Sequence, residues 1–148
     1  MPKKKTETKK IKKNNKRKVS PKEEKKGNKI ILIVEDDEVL LRALYVFFHE
    51  SEYTIATATD GETAVSMAQR LNPDLILLDL LLPQMDGFQF LEKVKAMPKL
   101  KNIPVVVLSN LGDESDIKRA KALGAKDYFI KADVELSKLS ENIKKVLK

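Results

Sequence analysis

Cysteine is absent from this chain of 148 residues, which excludes disulfides, thiolate-bound metals and thiol redox chemistry. Long hydrophobic runs are absent as well. No apolar stretch nears the roughly 18 residues needed to cross a bilayer, so no membrane insertion is expected. The N-terminus is basic but has neither the apolar segment of a secretory signal nor the amphipathic pattern of a transit peptide. Before Ile30 its only large apolar residues are Met1, Ile11 and Val19. A cytoplasmic protein is the expectation. Histidine occurs once, at His49, which reads as a partly exposed helix residue rather than a phosphate carrier. No G-x-x-x-x-G-K-[ST] loop is present to cradle a nucleotide.

What is present divides into two unlike pieces. Residues 1–29 carry 14 Lys/Arg against 3 Glu, a net of +11, while residues 30–148 carry 15 Lys/Arg against 19 Asp/Glu, a net of −4. The formal net charge of +7 therefore describes neither piece. The first, residues 1–29, cannot bury enough apolar surface to offset the entropy of ordering its backbone, and a disordered basic arm is expected there. Gly27-Asn28 marks the boundary. Such a lysine density would attract phosphate backbones with strong salt dependence. A nucleic-acid-binding protein that works through the arm, with the rest as scaffold, is thus a competing function. The arm has no aromatic residue to stack on bases and no apolar anchor for a membrane surface. A solvated tail with no partner explains it as well as nucleic-acid contact does.

From residue 30 to 148 the pattern is that of one folded domain. Apolar runs at Ile30–Val34, Leu75–Leu78 and Val105–Leu108 suit central strands of a parallel sheet covered on both faces. Tyr53–Ala58 is more polar, as an edge strand would be, and Tyr128–Ile130 is short. Helical stripes lie between them: Leu40, Leu44, Phe47, Phe48; then Ala64, Met67, Ala68, Leu71; then Phe90, Leu91, Val94, Met97. Ile117, Ala120 and Leu123 make a thin fourth stripe, and Leu136, Leu139, Ile143 and Val146 a fifth. Asn72-Pro73 stops the second helix, Pro104 opens the fourth strand and Gly124 sits at a helix C-cap. Five β-α units in strict alternation predict an open, doubly wound parallel α/β sheet.

The chemistry collects where those strands end. Glu35, Asp36 and Asp37 follow the first strand, Asp79 the third, Ser109 the fourth and Lys131 the fifth. Right-handed crossovers bring such positions together at the carboxyl edge of the sheet. Taken singly each has a plain structural explanation, and either Asp36 or Asp37 caps the first helix. Taken together they make a site. Three carboxylates near one point repel unless a cation neutralises them, and hard oxygen ligands without His or Cys favour Mg²⁺.

These segments resemble the response-regulator receiver domains of two-component signalling. The carriers are ILIVEDD at 31–37, DLILLDLLLPQMDG at 74–87, VVVLSN at 105–110 and DYFIKA at 127–132. Pro83 lies four residues after Asp79 and Gly87 eight after it, as the family pattern requires. The resemblance implies a flavodoxin-like strand order of 2-1-3-4-5. It implies that Asp79 is the phosphoacceptor and that Glu35, Asp36, Asp79 and the backbone carbonyl of Leu81 hold Mg²⁺. Ser109 would be the switch hydroxyl, Tyr128 the switch aromatic and Lys131 the phosphate-contacting lysine. The implied donor is a sensor histidine kinase or phosphotransfer protein, and the output is a change of contacts with another protein. Such a domain catalyses its own phosphorylation and slow dephosphorylation without turning over an external substrate. With the chain ending on the fifth helix, a single-domain receiver is the expectation. Two positions depart from the pattern: Ala132 stands where many receivers have a proline after a cis peptide, and Asn110 where a small residue is usual. A phosphatase of the haloacid dehalogenase type would need a second Asp where this chain has Leu81.

Overall fold

Alternate residues of a strand face opposite sides of a sheet, and the apolar runs here fill both sides. The computed structural model describes residues 29–148. Apart from Lys29, the expected basic arm lies outside the described residues. The strands are β1 (Ile30–Val34), β2 (Thr54–Ala58), β3 (Leu75–Leu78), β4 (Val105–Ser109) and β5 (Asp127–Ile130). They pair in parallel in the order β2-β1-β3-β4-β5. The helices are α1 (Glu38–His49), α2 (Gly61–Leu71), α3 (Gly87–Ala96), α4 (Glu114–Ala122) and α5 (Leu136–Val146). This is the doubly wound, flavodoxin-like α/β architecture that the alternation predicts.

The parity of the strand residues separates two cores. Leu32, Val34, Ile76, Leu78, Val105 and Val107 face α2, α3 and α4, where Ala64, Ala68, Phe90, Leu91, Val94 and Ala120 meet them. Ile31, Ile33, Leu75, Leu77, Val106 and Leu108 face α1 and α5, against Leu44, Phe48, Leu139 and Ile143. Both groups are buried, so the sheet is covered on each face. The thin stripe of α4 buries only Ala120 within the helix.

The helix ends follow from local chemistry. Asp60 and Asp86 accept hydrogen bonds from the backbone at the starts of α2 and α3, and Asp86 N–H donates to the Gln89 side-chain oxygen to complete a capping box. Asn72 takes a left-handed conformation at the end of α2, and Gly124 has φ 112° just beyond α4. Strand bounds differ slightly from the apolar runs. β2 starts at Thr54, whose N–H donates to Lys29, while the Tyr53 ring instead packs near Phe48. β4 continues through Ser109, and β5 begins at Asp127, paired with Val106.

Candidate functional site

In the order β2-β1-β3-β4-β5, the chain leaves β1 toward one side of the sheet and β3 toward the other. The crevice at the carboxyl ends of these two strands is where such folds bind ligands. Glu35 and Asp36 enter it from β1 and Asp79 from β3. Carboxylate oxygens of the three lie within 4.8 Å of one another. Two of the side chains are almost fully buried, Glu35 at 2% and Asp79 at 3% exposure, while Asp36 is exposed.

Backbone bonds fix the buried pair in place. Glu35 N–H donates to the Ala58 carbonyl and Asp79 N–H to the Val34 carbonyl, each at 3.0 Å, which extends the ladders one residue past the strands. Asp79 Oδ1 accepts from Leu81 N–H at 3.2 Å, and Glu35 Oε2 accepts from Asp37 N–H at 3.1 Å. Asp37 itself caps α1, accepting from the N–H groups of Val39 and Leu40. The ambiguity between Asp36 and Asp37 is thereby resolved: Asp37 caps, and Asp36 is left to the acidic cluster.

Lys131 comes from the far end of β5. Its Nζ donates to Asp79 Oδ2 at 2.8 Å and lies 2.9 Å from Glu35 Oε1. These are the ion pairs among the described residues. The peptide linking Lys131 to Ala132 is not cis, yet the ammonium still reaches both carboxylates. A backbone bond of 2.9 Å from Lys131 N–H to the Ser109 carbonyl holds the start of its stem. The carboxylates hold the Lys131 pKa above its usual value despite its burial, which acts the other way. Glu35 is pushed up to about 7, by burial first and by the neighbouring Asp79 charge in addition, with Lys131 offsetting only part.

Ser109 is fully buried at the end of β4, with its Oγ accepting from Leu111 N–H at 3.3 Å. Tyr128 lies on the edge strand β5 beside Val107. Its hydroxyl donates to the Leu111 carbonyl. The Leu111 backbone therefore touches both residues, donating to one and accepting from the other, which residue types do not disclose. Leu81 places its N–H on Asp79 and its side chain, 53% exposed, at the surface. Asn110 is exposed.

Gly87 has a reason beyond its motif. A Cβ there would stand 2.4 Å from Leu80 Cα and 2.7 Å from the Asp79 carbonyl oxygen. The start of α3 thus lies against the backbone that carries Asp79. Only glycine permits that approach.

Fold and site define a doubly wound domain with a buried aspartate, clamped by a lysine and flanked by acids, at its topological switch point. Residues 31–144 match the model of the response regulator receiver domain, and the chain belongs to that family, the receivers of two-component signalling. It is 40% identical over 99 residues to the chemotaxis protein CheY of Treponema pallidum, covering 65% of this chain and 67% of that one. It is 43% identical over 79 residues to the response regulator PleD of Caulobacter vibrioides, covering 53% of this chain and 17% of PleD. The chain spans less than a third of the length of several curated relatives that it matches. Among solved structures, the Mn²⁺-bound response regulator Rcp1 superposes with a TM-score of 0.67 at 34% identity, covering 80% of this chain and 89% of that one. No described helix is long and apolar enough to cross a membrane.

Proposed function

We propose that this domain accepts a phosphoryl group on Asp79 from a phosphohistidine of a sensor kinase or phosphotransfer protein in the cytoplasm, and that the product alters contacts with a protein target. The observation that carries this reading is the buried Asp79 carboxylate held between Lys131 and the Glu35–Asp36 pair.

The donor set fits a hard divalent cation. Three carboxylates converge, two of them buried, and the one ammonium among them leaves Glu35 with a raised proton affinity. Glu35, Asp36, Asp79 and the Leu81 carbonyl would hold Mg²⁺, which when bound supplies positive charge to offset that of the phosphoryl oxygens. The Mn²⁺-bound state of Rcp1 supports a divalent site.

The remaining steps belong to the chain. An Asp79 carboxylate oxygen attacks phosphorus in line. A P–O bond forms as the P–N bond to the donor imidazole breaks, and the leaving nitrogen keeps the electron pair. Asp79 directly follows β3, with its N–H on the Val34 carbonyl and its carboxylate held by Leu81 N–H and Lys131, so most of the work is positioning. Lys131 follows the charge from the carboxylate to the phosphoryl oxygens. Ser109 then donates its hydroxyl hydrogen to a phosphoryl oxygen. Turning the hydroxyl toward the phosphoryl group shifts Oγ relative to Leu111 N–H, and the Leu111 carbonyl carries the change to Tyr128. Helix α4, anchored within its length by Ala120, follows this loop and is the element that can shift.

The test is incubation of the purified chain with acetyl phosphate and Mg²⁺, read by intact mass. The chain should gain one hydroxylamine-labile phosphoryl group, and Asp79→Asn should gain none while melting cooperatively. A labelled Asp79→Asn protein would move the acceptor elsewhere.

A further inference from the structure

Charge in this domain is sorted by height along the strands. The loops after the strands, with the first turn of each following helix, hold thirteen Asp/Glu and two Lys, Lys131 and Lys138. At the opposite pole, Lys29, the loops before the strands, the last turn of each helix and the final two residues hold twelve Lys/Arg and three acids. Bases in last turns complement the helix dipoles and need no partner. Lys99, Lys101 and Lys126 are different: they stand in loops, exposed, and pair with no carboxylate among the described residues.

These loops are built rather than loose. Lys95 donates from Nζ to the carbonyls of Lys101 and Ile103, at 3.0 and 2.8 Å, which pins the loop between α3 and β4. Its stem runs under Gly124, where a Cβ would meet it at 3.1 Å. Lys126 N–H donates to Val105 at 2.8 Å. One half-buried lysine thus links two loops that each present free ammonium groups, around a groove of about 530 Å³ lined also by Asn102 and Val146.

We infer that this amino-end pole is a second binding surface, taking the phosphate backbone of double-stranded nucleic acid. The chain enters β1 at this pole through Lys29, so the free ammonium groups of the two loops stand at the same end of the sheet as that lysine. A bilayer is the poorer fit, because the exposed large apolar side chains lie on α1 and at Leu81, not among these loops. The acidic pole of a second copy is poorer too. Five of its thirteen acids are already engaged, Asp37, Asp60 and Asp86 as caps and Glu35 and Asp79 with Lys131. The surface lies at the opposite end of the strands from Asp79, so binding leaves the phosphorylation site open.

The test uses the full chain and a 30-base-pair duplex of arbitrary sequence, followed by fluorescence anisotropy between 50 and 300 mM salt. The variant Lys99→Glu/Lys101→Glu/Lys126→Glu is compared with Lys99→Ala/Lys101→Ala/Lys126→Ala, both checked by thermal melting. Each lost phosphate contact flattens the log–log salt slope by about 0.9. The alanine variant should therefore lose about 2–3 units of slope and bind more than tenfold more weakly at low salt, the glutamate variant more weakly still. Acetyl phosphate labelling of Asp79 should be unchanged in both. Three results would overturn the inference: wild-type slopes in both variants, lysine-dependent binding to phosphatidylserine vesicles with none to the duplex, or salt-sensitive self-association that the duplex does not compete.

Discussion

The Lys131 ammonium lies 2.8 Å from Asp79 Oδ2 and, on its other side, 2.9 Å from Glu35 Oε1. One cation thus serves two buried carboxyl groups, and the pair outweighs its charge whenever Glu35 is ionised. Replacing it with an apolar residue leaves both anions unpaired, and an uncompensated buried charge is strongly destabilising. Lys131→Met should melt at lower temperature than the wild type. Added Mg²⁺ should recover more stability in the variant than in the wild type, because the ion then meets a more negative cluster. The phosphorylation rate with acetyl phosphate should fall about 10²–10³-fold, the usual loss when one preorganised charge-stabilising donor is removed. A wild-type rate would release Lys131 from the phosphoryl-contacting role.

The same cluster makes metal-free stability depend on pH in an unusual direction. Glu35 titrates at about 7 in the folded chain against an ordinary 4.5. Between those values the folded state binds the extra proton and the unfolded state does not. Stability therefore falls as pH rises from 4.5 toward 7, the reverse of a salt-bridged carboxylate. In EDTA the contribution of Glu35 should appear as a melting temperature that declines over this window. Glu35→Gln should flatten the decline and melt higher than the wild type at pH 8. A wild-type slope in the variant would assign the titration to another group.

Gly87 permits the close approach of α3 to the Asp79–Leu80 backbone. Gly87→Ala forces a methyl group to within 2.4 Å of Leu80 Cα, where backbone rather than a flexible side chain must yield. Overpacking of this kind costs about 1–3 kcal/mol. The melting temperature should drop, and labelling of Asp79 should slow more than it does in a surface variant of equal stability, such as one in α5. Slowing no greater than in that control would show that the glycine serves packing alone.

The sheet was legible because central parallel strands must be apolar on both faces, and three such runs stand out in the sequence. The site was legible for a related reason: a strand that ends on a charged residue delivers it to a known edge. What remained hidden depends on backbone rather than residue type. Adjacent Asp36 and Asp37 look alike until the geometry at the start of α1 gives the capping role to Asp37. Leu111 reads as an apolar loop residue, and its importance lies in its N–H and carbonyl. The charge poles were hidden too. A net of −4 over residues 30–148 is a sum over two ends of opposite sign, and only the topology separates them.

If Asp79 is phosphorylated as proposed, Leu81 and Leu111 are predicted to lengthen the lifetime of that state. Hydrolysis requires a water in line with the new P–O bond, on the side that the leaving group has vacated. Leu81 is two residues beyond Asp79 and donates its N–H to that carboxylate, and Leu111 is two beyond Ser109 and donates its N–H to that hydroxyl, so both border the site. Neither side chain can accept or donate a hydrogen bond to orient the water, and both can exclude it. A positioned base or water-orienting group contributes typically about 10²–10⁴-fold in rate, so a partial gain is measurable. Leu81 is 53% exposed, and its replacement by Asn should leave the fold undisturbed. Leu111 is half-buried against the core, so Leu111→Glu is added second and its melting curve taken first. Leu81→Asn should release phosphate faster than the wild type once the donor is removed, and the double variant several-fold faster, with an unchanged Mg²⁺ requirement. Equal rates in all three proteins would place control of the lifetime elsewhere, at Asn110, whose exposed side chain adjoins Ser109, or at the Lys131-Ala132 step.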